Sequence, residues 1–124
     1  MAIDEIIATY FRAWNEPDDD ARVRLLENCW AEDGTLTGPQ YERTGRAAVA
    51  AHIGEFLRQY SGASVVPTSG CDAHHDVVRF GWRIERGDGS VLVEGQDTGI
   101  VGSDGRPARV LMFYGPLPSV SDPG

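Results

Sequence analysis

The run VVRFGWRIERGDGSVLVEGQDTGIVGSDGRPARVLMFYG, residues 77–115, reads as two β-hairpins in succession. Val78, Phe80, Trp82 and Ile84 alternate with Val77, Arg79, Gly81, Arg83 and Glu85, the period-two pattern of a strand with two unlike faces. The spacing predicts strands over His75–Arg86, Val91–Val101 and Arg109–Gly115. Gly87-Asp88-Gly89-Ser90 and Ser103-Asp104-Gly105-Arg106 each centre on Asp-Gly, which favours two-residue hairpin loops. Pairing Gly87 with Ser90 sets Trp82 opposite Gly95 and Phe80 opposite Asp97. Pairing Ser103 with Arg106 sets Asp97 opposite Met112 and Gly95 opposite Tyr114. Cross-strand partners share a face. One face therefore carries Val78, Phe80, Trp82, Ile84, Val93, Val101, Val110, Met112 and Tyr114, with Asp97 in its middle.

A carboxylate on the most apolar face of a sheet is costly unless paired, hydrogen-bonded or protonated. Gly95 and Gly99 flank it on the same side and offer no side chains, which predicts room beside Asp97. Space and one polar group on an apolar wall are the marks of a small-molecule pocket. The alternative is that Asp97 hydrogen-bonds a tyrosine or tryptophan and fixes packing. The opposite face holds Arg79, Arg83, Glu85, Leu92, Glu94, Gln96, Thr98, Ile100, Arg109, Leu111 and Phe113. It is too apolar for a free surface and too charged for a core, which predicts a homodimer interface on the outer sheet face.

Upstream, Ile3, Ile6, Ile7, Tyr10, Phe11 and Trp14 recur at helical spacing and predict a helix over 3–15. Asn15-Glu16-Pro17 ends it. Asp18–Asp20 supplies an N-cap for a second helix with a Val23, Leu26 and Trp30 stripe, closed by Asp33-Gly34. A short strand over Gly34–Thr37 and a loop from Gly38-Pro39 to Gly45 follow. A third helix spans 46–60, with Val49, Ile53, Phe56, Leu57 and Tyr60 on one side. Ala63–Cys71 reads as an edge strand, because Pro67 lacks a ladder donor. Pro116, Pro118 and Pro123 mark an irregular tail from about 116. Helices first and an antiparallel sheet afterwards give an α+β fold, a single domain over 1–124.

Composition narrows the function. The 124 residues are 41% hydrophobic, enough for a core without a disulfide or metal staple. The net charge of −8 argues against nucleic acid and anionic membranes. No apolar run approaches the ~20 residues of a membrane span and no secretion signal is visible, so a cytoplasmic protein is expected. Cys29 and Cys71 form no CxxC pair and are expected as free thiols. His74 and His75 point to opposite faces and cannot readily share a metal, so no metal is expected. His74 falls on the pocket side and His75 toward the interface. Gly87-Asp88-Gly89 precedes a strand rather than a helix and is no phosphate loop.

Three segments, YFRAWNEPDDDARVRLLENCWAEDGTLTGP, GRAAVAAHIGEFL and GQDTGIVGSDGRPARVLMFYGPLP, resemble the nuclear transport factor 2-like superfamily. The similarity is to its SnoaL-like group, which includes polyketide cyclases and ketosteroid isomerase. The resemblance implies a cone, or cystatin-like α+β roll, with a curved antiparallel sheet wrapped around three helices and a deep apolar pocket. It implies no cofactor and a dimer through the outer sheet face. Ketosteroid isomerase sets a helix tyrosine and a protonated sheet aspartate around an oxyanion. Tyr10, in the Tyr-x-x-Ala-x-Asn motif ending at Asn15, and Asp97 match those two. The isomerase's general base matches Gly38, so that base is missing, and Glu42, His52 or His74 stands as an auxiliary acid or base. Arg83-Ile84-Glu85 is the nearest match to the Arg-x-Asp of limonene epoxide hydrolase, on the wrong face for that reaction.

The expected site is therefore Tyr10 and Asp97 as polar groups, with Trp14, Trp30, Phe56, Phe80, Trp82, Met112 and Tyr114 as walls. It would take a small apolar, oxygenated or cyclic molecule. An isomerase, cyclase or dehydratase acting through an enolate is the leading expectation. A non-catalytic ligand-binding or protein-interaction module of the same fold is the alternative.

Overall fold

The amphipathic N-terminal stretch forms helix α1 (Ile3–Trp14), which buries Ile6, Ile7, Tyr10, Phe11 and Trp14. The structure is a computed structural model that describes residues 2–121; Met1 and residues 122–124, Pro123 among them, lie outside the described residues. Helix α2 (Asp19–Cys29) starts where Asp18 Oδ2 accepts a hydrogen bond from the Ala21 amide. It ends at Cys29, five residues before Gly34 and earlier than expected. Trp30 is not part of its stripe but has extended backbone at the C-cap, and its indole N–H donates to the Gly34 carbonyl (2.9 Å). Arg22 is buried, yet its guanidinium donates to the Glu16 carbonyl, Asp19 and the Ala50 carbonyl, so the charge is satisfied.

Helix α3 (Arg46–Gln59) follows two short strands, β1 (Thr35–Gly38) and β2 (Tyr41–Thr44). The segment expected as a loop thus contains a strand. Pro39 and Gln40 turn the chain so that Gly38 pairs with Tyr41. Of the expected strand over 63–71 only β3 (Ser64–Pro67) forms, and a further short strand, β4 (Asp72–His74), follows it; both lie along β5 (Val77–Glu85). The break follows Pro67, and Ser69 Oγ takes over as acceptor for the Gly81 amide (2.8 Å). His75, expected to begin the long strand, sits in a turn with φ 52°.

The seven strands form one sheet in the order β2-β1-β7-β6-β5-β3, with β4 also on β5. Strands β6 (Val91–Val101) and β7 (Pro107–Tyr114) complete it. The sheet is mixed rather than antiparallel, because β1 runs parallel to β7. The curved α+β arrangement of three helices and this sheet agrees with the expectation. Asn15 joins the layers: its Nδ2 donates to the Val65 carbonyl and its Oδ1 accepts from the Val65 amide, at 2.9 and 2.8 Å.

The register around Asp97 is as expected, with Phe80 and Met112 opposite it and Trp82 and Tyr114 opposite Gly95. The loops that deliver it are different. Arg86 pairs with Ser90 around three residues, and Gly89 has φ 87°. Gly102 pairs with Arg106 in the same way, and Gly105 has φ 80°. Each three-residue loop shifts the pairing by one, and a bulge shifts it back: Leu92 is the extra residue in β6 and Ala108 in β7. The bulge also turns Leu92 away from the outer face, where alternation had placed it, and into a cavity wall.

Candidate functional site

Asp97 is 1% exposed, on the sheet face covered by the helices. Trp82 Nε1–H donates to its Oδ1 at 2.7 Å. The expected open space over the glycines is filled. A Cβ at Gly95 would strike the Trp82 ring and the Phe113 carbonyl, and one at Gly99 would meet Val78 at 3.0 Å. Gly95 thus lets the cross-strand indole lie over the sheet and reach the carboxyl. The tryptophan partner expected under the packing alternative is present, but it occupies one carboxyl oxygen. No partner among the described residues bonds Oδ2.

Tyr10 reaches the same place from α1. Its ring stacks on Trp30 at 5.5 Å and meets Phe11, Trp14 and Phe80 edge-on. Its hydroxyl is fully buried and has no hydrogen-bond partner among the described residues. An orphaned buried hydroxyl costs about 1–3 kcal/mol. Burial pushes the Asp97 carboxyl up to about 7, against which the Trp82 hydrogen bond works. Burial, and then the nearby Asp97, holds the Tyr10 phenol well above its ordinary range. Both groups are therefore held toward their protonated, donor forms.

Tyr10 and Asp97 line an inner cavity of about 20 Å³ with Trp14, Phe80, Trp82 and Met112. That volume holds about one water-sized group. A wider cavity of about 340 Å³ adjoins it, lined by Tyr41, His52, Phe56, Tyr60, Leu92 and Tyr114 among others. Trp14, Ile84 and Met112 line both, so the two form a narrow end and a wide mouth.

The expected walls separate accordingly. Phe80 and Trp82 belong to the inner end, Phe56 and Tyr114 to the mouth, and Trp14 and Met112 to both. Trp30 stands behind Tyr10 as core rather than wall. His52 lies half-buried in the mouth, where burial and then Arg43 lower its pKa. His74 is exposed and not near the pocket: pairing with Val77 sets it on the outer face beside Asp72 and Arg79. Glu42 is exposed and bonded to Thr37. Arg83 and Glu85 pair with each other at 2.7 Å. Among the described residues, no cluster of His, Cys, Asp and Glu has the makings of a metal site.

Tyr41 was missed by the sequence reading. Its ring lies across Gly38, where a Cβ would meet it at 2.6 Å. Its hydroxyl donates to Met112 Sδ (2.8 Å), and its ring is 4.0 Å from that of His52. The signal was slight: one aromatic in a four-residue strand after Gly-Pro-Gln.

A family model described as a SnoaL-like domain matches residues 7–111. Among curated proteins there is no significant match. An isomerase candidate of the SnoaL-like family from Agrobacterium tumefaciens str. C58 is 30% identical, covering 94% of this chain and 100% of that one, with a TM-score of 0.86. A candidate polyketide cyclase from Sinorhizobium meliloti is 20% identical over 88% of this chain and 94% of that one, TM-score 0.69. A protein with a ketosteroid isomerase-like fold from Catenulispora acidiphila DSM 44928, in complex with trimethylamine, is 16% identical over 89% and 85%, TM-score 0.71. The last two similarities are of fold.

Proposed function

Since the chain belongs to the SnoaL-like domain family, we propose that it binds a small cyclic or otherwise compact carbonyl compound and stabilises its enolate. The observation that carries this is the pairing, at the closed end of one cavity, of a buried carboxyl pushed up to about 7 with a buried phenol that has no hydrogen-bond partner among the described residues. Two O–H donors converging on an oxygen-sized space suit a carbonyl oxygen that gains charge as the reaction proceeds. The apolar body of the ligand occupies the mouth, whose 340 Å³ lies at the small end for ligand pockets. The reaction class is a cofactor-independent isomerisation, cyclisation or dehydration. A binding module without turnover is the second reading, favoured by the absence of a carboxylate at Gly38.

Binding of 2-naphthol, an enol mimic followed by its fluorescence, tests the pocket. Asp97→Asn and Tyr10→Phe are each expected to weaken binding about tenfold, the size of one lost hydrogen bond in a dry site. Unchanged affinity in both variants would remove the pair from the account.

A further inference from the structure

We infer that His52 is the proton acceptor of this pocket, held in place by Tyr41, whose ring occupies the space that Gly38 leaves empty. The inference rests on the proposed enolate-stabilising function and supplies what that function lacks. Among the described residues lining the two cavities, the titratable side chains are Tyr10, Tyr41, Tyr60, Tyr114, Asp97 and His52. The phenols of Tyr10 and Tyr41 are held protonated by burial. Asp97 already serves the oxygen end. His52 is the one nitrogen base.

Its position fits the task. The carbonyl oxygen lies in the inner end, so the carbon next to it lies at the neck formed by Trp14, Ile84 and Met112. His52 lies against Trp14 of that neck and against Tyr41, which reaches Met112. Its ring meets Trp14 edge-on at 6.1 Å, and it packs at 4.0 Å on Tyr41, which is itself bonded to Met112 Sδ. Tyr41 adopts this pose because Gly38 has no side chain.

Its charge state fits as well. The groups facing it are Tyr41 and Arg43 from β2, Glu55 from its own helix and Trp14 from α1. Burial and Arg43 outweigh Glu55, so the imidazole is neutral near pH 7 and open to a proton. In the step proposed, an imidazole nitrogen takes the proton from the carbon beside the carbonyl. The C–H electron pair becomes the C=C bond, and the carbonyl π pair moves onto oxygen, which Asp97 and Tyr10 hold by hydrogen bonds. The imidazolium then returns the proton to the same or a conjugated carbon. No electrons are gained or lost overall.

The test uses β-tetralone in D₂O, with exchange of its α-protons followed by NMR and 2-naphthol binding measured in parallel. Wild type is expected to accelerate exchange, with an acid limb from His52 and an alkaline limb near pH 7 from Asp97. His52→Gln is expected to lose on the order of 10²–10⁴ in exchange rate and to lose the acid limb, with a loss in rate far exceeding any loss in 2-naphthol affinity. Free imidazole is expected to restore part of the rate in His52→Ala. Wild-type exchange without an acid limb overturns the inference even if the variants fail to fold. So does unchanged exchange in folded His52 variants, or binding by wild type without exchange. Each of these leaves the binding reading standing, whereas absence of both binding and exchange in wild type overturns both.

Discussion

Replacing Asp97 by asparagine removes a proton that the native state keeps and the unfolded chain releases. Because the folded carboxyl titrates near 7, above its ordinary 3.8, the native state binds more protons between those values. Stability from this group is thus full below about pH 4 and declines as pH rises through 7. The loss approaches about 4 kcal/mol at full ionisation, an upper bound because the site relaxes around a charge. Asp97→Asn keeps an acceptor for Trp82 and has no proton to lose. Urea unfolding midpoints from pH 4 to 8 are expected to fall for wild type relative to the variant, and the variant is expected to be the more stable at pH 8. Parallel curves would mean that Asp97 titrates normally.

At the scale of elements, the contact that couples α1 to the edge of the sheet is Asn15 against Val65. Asn15→Ala strands an amide and a carbonyl and is expected to cost about 2–4 kcal/mol in denaturant unfolding. Gly95→Ala is expected to displace Trp82 and to lose the bond to Asp97, seen as a change in tryptophan absorbance and a pH–stability decline that extends to higher pH, because that bond holds the carboxyl down. Much at this scale could be read in the residues. The period of Val77–Glu85 and the two Asp-Gly turns gave the faces and the Phe80–Asp97–Met112 row. That register came out right although each loop has three central residues, since a bulge cancels each loop's offset. What stayed hidden has physical causes. A four-residue strand such as Tyr41–Thr44 is too short for its period to stand out, and the parallel partnership of β1 with β7 leaves no local trace. Gly95 and Gly99 were read as gaps, but a glycine's space belongs to whichever neighbour is large enough to enter it, here Trp82 and Val78.

For the molecule as a whole, the outer sheet face is the surface without a helix over it. Ile100 and Phe113 remain exposed there, Phe113 by 62%, among Arg79, Arg83, Glu94 and Gln96. We propose that a second copy covers this face. Sedimentation equilibrium is expected to give a dimer for wild type and a monomer for Phe113→Asp with unchanged helix content. A monomeric wild type at tens of micromolar would refute it.

The parallel seam between β1 and β7 sets the order in which the chain becomes a protein. Thr35, Leu36 and Thr37 find their partners in Arg109, Val110 and Leu111, and Ala31 donates to the Pro107 carbonyl. On the ribosome, the first hairpin therefore waits for β7 to be made before Leu36 is covered. Local contacts such as α1 on α2 form early, while closure of the sheet is a late, non-local event of the kind that slows folding. The same strand that carries Met112 to the pocket is thus the one that completes the core, so the site is assembled only once β7 has docked.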